Sequence, residues 1–433
     1  MVDEAVYKKR LEEIFSKHPS YQQVGGVAYK EGLEGMVAFD KAMGHPHRSY
    51  PIVHIAGTNG KGSVSHMLAS VLIKCGVKCG LYTSPHLLDF RERIKVNGEM
   101  VPKEFVLSFL ERYNNFIESE RSSFFEITTA MAFAYFKEVG VEIAVVETGL
   151  GGRLDSTNIV SPILSIITNI ALDHCEQLGS TLPSIAYEKG GIIKNGVAVV
   201  IGESSETTDH LFERVAKERN APLFFASKGL FATVELGDYR LDLEGSYQKY
   251  NLRTLLTALD VLSRNRTFKE LVGEEWSDTT IREALSSVVA TTGLRGRWEY
   301  LSRNPRVICD TGHNFNALSN LFSQLRREQF DRLFCIIGFV KDKELDKVLA
   351  LLPHSAYFLF TQPQGERGLD SEVLARRSFA LGVEGESFAT VESALLRYGE
   401  LYREGDLLFI GGSTFVVAEA MLFFENGRSF FAN

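Results

Sequence analysis

The sequence predicts an α/β chain of two domains, each built on a mostly parallel sheet. Three observations carry this. From Pro51 onward, apolar runs of strand length alternate with helix-length amphipathic segments, the pattern of parallel strands joined by crossover helices. That alternation loosens after about residue 197 and begins afresh at Val307. At 433 residues the chain also exceeds one ordinary domain.

In chain order, Met1 to Phe15 reads as a charged amphipathic helix without the apolar core of a signal peptide. Next come a strand at Ile52–Ala56, a helix over 63–73, a strand at Lys78–Tyr82 and helices over 103–118 and near 125–139. Strands at Glu142–Glu147 and Ile163–Thr168 and a helix from Leu182 follow. The stretch 197–250 reads as short β-like pieces (Val197–Ile201, Leu223–Ala226, Tyr239–Leu243), before a Leu-rich helix at Asn251–Ser263. Arg264–Asp278 reads as irregular, 279–290 as a helix, and Thr291–Gly296 as a small-residue linker. The second half reads as strands at Val307–Cys309, Leu333–Phe339, Ala356–Thr361 and Leu407–Ile410. Its helices are expected over 315–328, 343–352, 371–381, 391–402 and 414–425. The expected domains are 1–295 and 296–433.

Strand Ile52–Ala56 runs into Gly57-Thr58-Asn59-Gly60-Lys61-Gly62-Ser63 and then a helix. A glycine-rich turn with one lysine at a helix N-terminus brings amides, the helix dipole and a mobile cation onto phosphate oxygens. The first domain is therefore expected to be of P-loop ATPase type. The common P-loop pattern has Ser or Thr where Gly62 stands, and a glycine where Ile55 stands. An ordinary glycine-rich turn is the competing reading.

Other polar motifs also follow strands, and ligands of open α/β sheets bind at the carboxyl ends of strands. Glu147 closes one strand, and His174 follows another. Beside a triphosphate, such a carboxylate and imidazole suit Mg²⁺ or positioning roles; solvated loop polarity is the bland alternative. Gly149-Leu150-Gly151-Gly152 is not a dinucleotide fingerprint, because Leu154 stands where the third glycine belongs. Lys189, near a helix end, reads by pattern alone as a C-terminal cation. In the second domain, Rossmann-like in its alternation, Asp310-Thr311-Gly312-His313-Asn314 follows a strand. With Gly296-Arg297 it implies polar groups turned toward the nucleotide in a closing cleft.

Hydrophobic content of 45% and charged content of 24% are those of an ordinary globular protein. The net charge of −8 argues against nucleic acid as the main partner, and no apolar run is long enough to span a bilayer. Five scattered cysteines suit reduced thiols and a cytoplasmic setting.

Six motifs agree in identity, order and spacing with one family. They are GTNGKGS at 57–63, LYTSPHLLDFRERI at 81–94, ETGLGGRLDSTN at 147–158, ITNIALDH at 167–174, EKGGIIK at 188–194 and DTGHN at 310–314. On these the chain resembles the folylpolyglutamate synthase / dihydrofolate synthase family, the folate branch of the Mur ligase superfamily, over essentially its whole length. The resemblance implies that Lys61 and the amides of Gly57, Thr58, Asn59, Gly60, Gly62 and Ser63 hold ATP phosphates. It implies two Mg²⁺ sites, one with Ser84 and Glu147 and one with Glu147 and His174. It further implies that Lys189 is carried as a carbamate, which would reverse its charge. By the same resemblance Asn251 would lie on the adenine side, Arg297 would meet phosphate, Asp310 the ribose, and His313 would lie near the γ-phosphate. Phe124, Phe125, Asp155 and the 81–94 loop would flank the pterin. Where the family often has Asp-Gly-Ala-His-Asn, this chain has Asp310-Thr311-Gly312-His313-Asn314.

The expected reaction is an ATP-dependent ligation in folate biosynthesis and one-carbon metabolism. A substrate carboxylate is phosphorylated, and the amine of L-glutamate displaces phosphate. The acceptor is dihydropteroate, a reduced folate, or both, and the family's usual state is a monomer. A peptidoglycan-type amino-acid ligase is the alternative acceptor class, against which Gly62 and EKGGIIK speak. A non-catalytic nucleotide-binding protein is the alternative of another kind.

Overall fold

A computed structural model describes residues 4–28, 30, 32–341, 345–428 and 430. The chain divides into two compact units, Met1–Asp242 with Gln248–Leu294, and Leu243–Tyr247 with Arg295–Asn433. The expected single division at 295/296 took no account of Leu243–Tyr247, a short excursion that belongs with the second unit.

In the first unit the described strands are β1 (Ile52–Ala56), β2 (Cys79–Tyr82), β3 (Ile94–Val96), β4 (Glu99–Met100), β5 (Ile143–Glu147), β6 (Leu164–Ile167), β7 (Val199–Ile201) and β8 (Leu223–Phe225). They form one sheet in the order β4-β3-β2-β5-β1-β6-β7-β8, parallel except at β3 and β4. β1 and β5 are buried along their whole lengths, as strands covered on both faces must be. An apolar core on one side of the sheet includes Phe39, Phe109, Met131, Phe133 and Phe136; another includes Ile167, Ile192, Ile201 and Phe212.

Register sets the functional edge. Ile55 pairs with Glu147 and Ala56 with Ile167, so the loops after β1, β5 and β6 leave the sheet side by side. The loop after β2 lies beyond β5, since Tyr82 pairs with Val146.

The second unit's described strands are β9 (Glu299–Arg303), β10 (Arg306–Cys309), β11 (Leu333–Ile337), β12 (Ala356–Thr361), β13 (Gly385–Phe388) and β14 (Leu407–Gly411). Their order is β13-β12-β11-β14-β10-β9, parallel except for β9. The core there gathers Trp298, Phe322, Phe339, Phe358, Phe360 and Phe409.

Several elements differ from expectation. β3 and β4 form a hairpin around Asn97-Gly98, whose φ values of 50° and 85° are those of the two-residue turn such a pair favours. β9 and β13 are edge strands with little apolar content (EYLSR, GESF), so no hydrophobic run announces them. The expected strand Tyr239–Leu243 does not form. Asp242 accepts from the amide of Val289 at 2.8 Å and Arg282 lies over the Tyr239 ring at 4.2 Å, so helix neighbours take the place of a ladder partner. The expected helix over 103–118 is two, Lys103–Arg112 and Asn114–Ser119, divided at Tyr113 before two poor helix formers. That over 279–290 is also two, Asp278–Leu285 and Val288–Thr292. Arg264–Asp278, read as irregular, contains the helix Arg266–Val272, capped by the Asn265 side chain. Of the helix expected over 343–352, Leu345–Leu349 forms; residues 343 and 344 lie outside the described residues, as do Met1 to Asp3. Among the described residues no helix is long and apolar enough to cross a membrane.

Candidate active site

The phosphate loop is built by β1, the following helix Lys61–Lys74 and the loop after β6. Gly57 and Gly60 have φ of 151° and 85°, conformations that a side chain disfavours. Space reinforces the choice. A Cβ on Gly57 would lie 1.8 Å from Thr168 Oγ1, and one on Gly60 would lie 2.2 Å from Asn251 Oδ1. The Thr58 amide donates to Asn169 O at 3.0 Å and the Asn59 amide to Asn169 Oδ1 at 2.8 Å. Those two amides therefore shape the loop. The helix begins at Lys61, two residues earlier than expected, so the amides of Lys61, Gly62 and Ser63 open its first turn and have no intrahelical acceptor. Behind them, Gln248 donates to Ser63 Oγ at 3.2 Å and Asn251 donates to Gln248 Oε1 at 2.7 Å.

Two lysines meet on one carbonyl. Lys61 Nζ donates to Gly57 O at 3.0 Å, and Lys189 Nζ donates to the same oxygen at 2.8 Å. Lys189 is 4% exposed, at the end of the helix Leu182–Gly190. Burial first, and repulsion from Lys61 second, lower its pKa to about 7, with Asp173 and Asp155 opposing. The Lys61 ammonium also lies 3.9 Å from Glu147 Oε1, and the Ser84 amide lies 3.4 Å from Glu147 Oε2. Glu147 itself is buried, 3% exposed at the end of β5. The structure thus brings Lys61, Lys189, Glu147 and Ser84 around the phosphate loop. His174, at a left-handed φ of 50°, stands by Asp173, 4.0 Å from Nε2 to Oδ2.

The donor chemistry fits a hard cation. Buried carboxylate oxygens on Glu147, with the Ser84 loop against them, suit Mg²⁺, which takes few protein ligands and completes its shell with water and phosphate oxygens. Among the described residues no group of three or more His, Cys, Asp or Glu side chains forms an all-protein cage.

Phe124 and Phe125 open the helix Phe124–Glu138. Its capping box joins Ser123 Oγ to the Glu126 amide at 3.2 Å and the Ser123 amide to Glu126 Oε2 at 2.6 Å. Phe124 packs on Phe90, while the Phe125 ring occupies the space that a Cβ on Gly149 would need. Arg93, unassigned in the sequence reading, is buried, donates to His86 Nδ1 at 2.8 Å and lies 5.2 Å from the Phe124 ring centroid. Burial lowers its pKa, and the charge of Glu147 is among the groups that oppose this. Asp155 turns inward. Its Oδ2 accepts from the amides of Gly149 and Leu150 at 2.8 and 2.9 Å, and its Oδ1 from the amide and hydroxyl of Thr157. The carboxylate expected beside the pterin is thus engaged in ordering its own loop.

In the second unit Asp310 is likewise enclosed. It accepts from Tyr247 OH at 2.6 Å, the Trp298 amide at 2.8 Å and the Gly312 amide at 2.8 Å; burial raises its pKa. Tyr247 escaped the sequence reading because it lies 63 residues from Asp310. Arg297 donates to Gly296 O at 3.0 Å and to Thr311 Oγ1. His313 Nδ1 lies 3.0 Å from Thr311 O, so Nδ1 carries the hydrogen that bonds this carbonyl. Asn314 caps the next helix, Phe315–Leu325, accepting from the Ala317 amide at 2.9 Å. Within unit one, Asp173, Thr168 and Asn169 were also left unassigned, although all three lie in the quoted ITNIALDH motif. Thr168 Oγ1 donates to Asn59 O at 2.6 Å.

Comparison with known proteins agrees with this architecture. The Mur ligase middle domain matches residues 55–257, and the Mur ligase glutamate ligase domain matches residues 296–414. The dihydrofolate synthase/folylpolyglutamate synthase of Bacillus subtilis is 33% identical over 76% of this chain and 81% of its own length. That of Escherichia coli is 32% identical over 87% of each. A probable bifunctional folylpolyglutamate synthase/dihydropteroate synthase of Haloferax volcanii is 30% identical over 90% of this chain, which spans about half (48%) of that relative's length. Among solved structures, Escherichia coli FolC in complex with DHPP and ADP is similar with a TM-score of 0.83, 29% identity and 98% coverage of both chains. The bifunctional enzyme of Yersinia pestis complexed with AMPPNP and Mn ion has a TM-score of 0.75 at 27% identity, covering 92% of this chain and 94% of its own. The chain belongs to the dihydrofolate synthase/folylpolyglutamate synthase family, built on the Mur ligase domains.

Proposed function

We propose that this chain is an ATP-dependent acid–amino-acid ligase, which joins L-glutamate to dihydropteroate, to reduced folate (poly)glutamates, or to both. The observation that carries the reading is the convergence of Lys61, Lys189 and Glu147 on the phosphate loop at Gly57. Similarity to synthases crystallised with ADP, AMPPNP, Mn ion and DHPP supports it.

A carboxylate does not condense with an amine in water unless its oxygen is first made a leaving group. Lys61 and the amides of Lys61, Gly62 and Ser63 neutralise charge as the γ-phosphoryl passes to the acceptor carboxylate, giving an acyl phosphate and ADP. The glutamate amine attacks the acyl carbon, and phosphate departs with the former carboxylate oxygen. Ser84 and Glu147 would hold one Mg²⁺, and Glu147 and His174 a second, and such ions would supply positive charge to the phosphate oxygens. Lys189 has the chemistry a carbamate requires. An amine lowered to about 7 is substantially neutral at physiological pH, and the carbamate nitrogen keeps one N–H for Gly57 O. Phe124, Phe125 and the loop ordered by Asp155 form the pterin side. Arg297, Asp310, His313 and Asn251 serve the nucleotide, Asp310 by shaping its loop. The protein acts as a cytoplasmic monomer.

The test is phosphate release from ATP with L-glutamate, comparing dihydropteroate, tetrahydrofolate and a UDP-muramyl peptide as acceptors. Turnover with either pteridine acceptor is expected; turnover with the muramyl peptide alone overturns the folate reading.

A further inference from the structure

His54 stands third in β1, three residues before Gly57, and is wholly buried between Val146 of β5 and Ser165 of β6. Its Nε2 lies 2.8 Å from Thr157 Oγ1. Thr157 Oγ1 in turn donates to Asp155 Oδ1, and Asp155 Oδ2 holds the amides of Gly149 and Leu150. The order of donors sets the tautomer. Burial raises the pKa of the Asp155 carboxyl, but four donors converge on its two oxygens, so both act as acceptors. The one hydroxyl hydrogen of Thr157 is spent on it, so Thr157 Oγ1 receives from His54 Nε2–H. His54 Nδ1 then bears no hydrogen, which agrees with its being buried without a hydrogen-bond partner. Protonation there would bury an unpaired N–H, and burial accordingly holds this imidazole neutral, its pKa lowered to about 3.

We propose that His54 is a positioning residue for the acceptor. Through Thr157 and Asp155 it sets the Gly149–Leu150 backbone relative to the strand that delivers the phosphate loop. The chain of bonds runs from β1, which ends at the phosphate loop, to the loop that follows Glu147. Acceptor carboxylate and γ-phosphoryl must meet within a narrow distance, and this link fixes the acceptor loop against the phosphate strand. The role rests on the ligase reading above, in which that loop faces the pteridine acceptor. A histidine serving only as packing would tolerate any side chain of equal volume.

The experiment compares the full chain with His54→Phe, His54→Gln, His54→Asn, Thr157→Val and Thr157→Ser. Amide hydrogen exchange is read over 147–152 and 57–61 without ligands, with KM for acceptor and for ATP measured alongside. His54→Phe and Thr157→Val are expected to speed exchange at Gly149 and Leu150 but not at 57–61. They should raise acceptor KM about tenfold, the loss of one net hydrogen bond, with ATP KM within about twofold. Gln places its amide nitrogen where Nε2 stands and should restore both readouts, as should Thr157→Ser; Asn, whose nitrogen reaches only the Nδ1 position, should not. Unchanged exchange and acceptor KM in His54→Phe overturn the proposal, and so does equal impairment of His54→Phe and His54→Gln. Should His54→Phe fail to fold, Thr157→Val against Thr157→Ser decides the same question. A wild-type chain that turned over no pteridine acceptor would overturn the ligase reading, while the ligand-free exchange would still judge the link itself.

Discussion

Lys189 is the residue whose chemistry its surroundings change most. In a solvated helix end it would be a plain cation, whereas here burial and the Lys61 ammonium hold its pKa at about 7, well below the ordinary lysine value of 10.5. Between those values the unfolded chain binds a proton that the folded chain does not. The stability contribution of this side chain is therefore most unfavourable below about pH 7 and improves as pH rises toward 10.5. Thermal unfolding of wild type minus Lys189→Met, followed from pH 6 to 10, should show a difference that grows in favour of wild type with pH. A flat difference would contradict the lowered pKa. Lys189→Ala should abolish glutamate ligation, with partial rescue by added short-chain carboxylic acids, because the carbamate role is that of an acid. A fully active Lys189→Ala enzyme would exclude it.

At the scale of elements, loop shape depends on backbone freedom and on one inward carboxylate. Gly57 combines a φ of 151° with a Thr168 hydroxyl 1.8 Å from any added Cβ. Gly57→Ala must therefore push apart the loops after β1 and β6, and equilibrium binding of ADP should weaken by at least tenfold while the fold persists by circular dichroism. Asp155→Asn substitutes one acceptor oxygen and an NH₂ for a carboxylate that receives four donors. Leaving buried donors facing a donor costs about 1–3 kcal/mol. Steady-state kinetics should show acceptor KM rising more than ATP KM, since the loss falls on the loop after β5.

For the whole molecule, two linkages are measurable. A ligand that binds only the folded state stabilises it by about 2.7 kcal/mol at a hundredfold excess over Kd. ADP with Mg²⁺ should therefore raise Tm more than ADP with EDTA, and equal shifts would deny a metal role to Glu147 and Ser84. In the second unit, Tyr247 belongs to the excursion 243–247 and donates to buried Asp310. Tyr247→Phe should lower stability by about 1–2 kcal/mol in denaturant melts. It acts through folding of that unit, because the Asp310 carboxyl loses a neutral donor in a dry setting.

What the sequence determined by itself was whatever is local. Apolar runs of strand length placed the inner strands, as at Ile52–Ala56 and Ala356–Thr361, because a strand covered on both faces must be largely apolar. The glycine-rich turn at 57–63 was legible as a strand-to-helix loop because glycine, lysine and a helix start stand within seven residues. Edge strands such as β9 and β13 were not legible, since a strand with a solvated side carries little hydrophobic signal. Only the tertiary structure decided the rest. It put Lys189 on the carbonyl of Gly57, 132 residues away, turned Asp155 inward, and joined Tyr247 to Asp310. Such contacts depend on which strands become neighbours and in what register, and that order arises from packing the whole sheet.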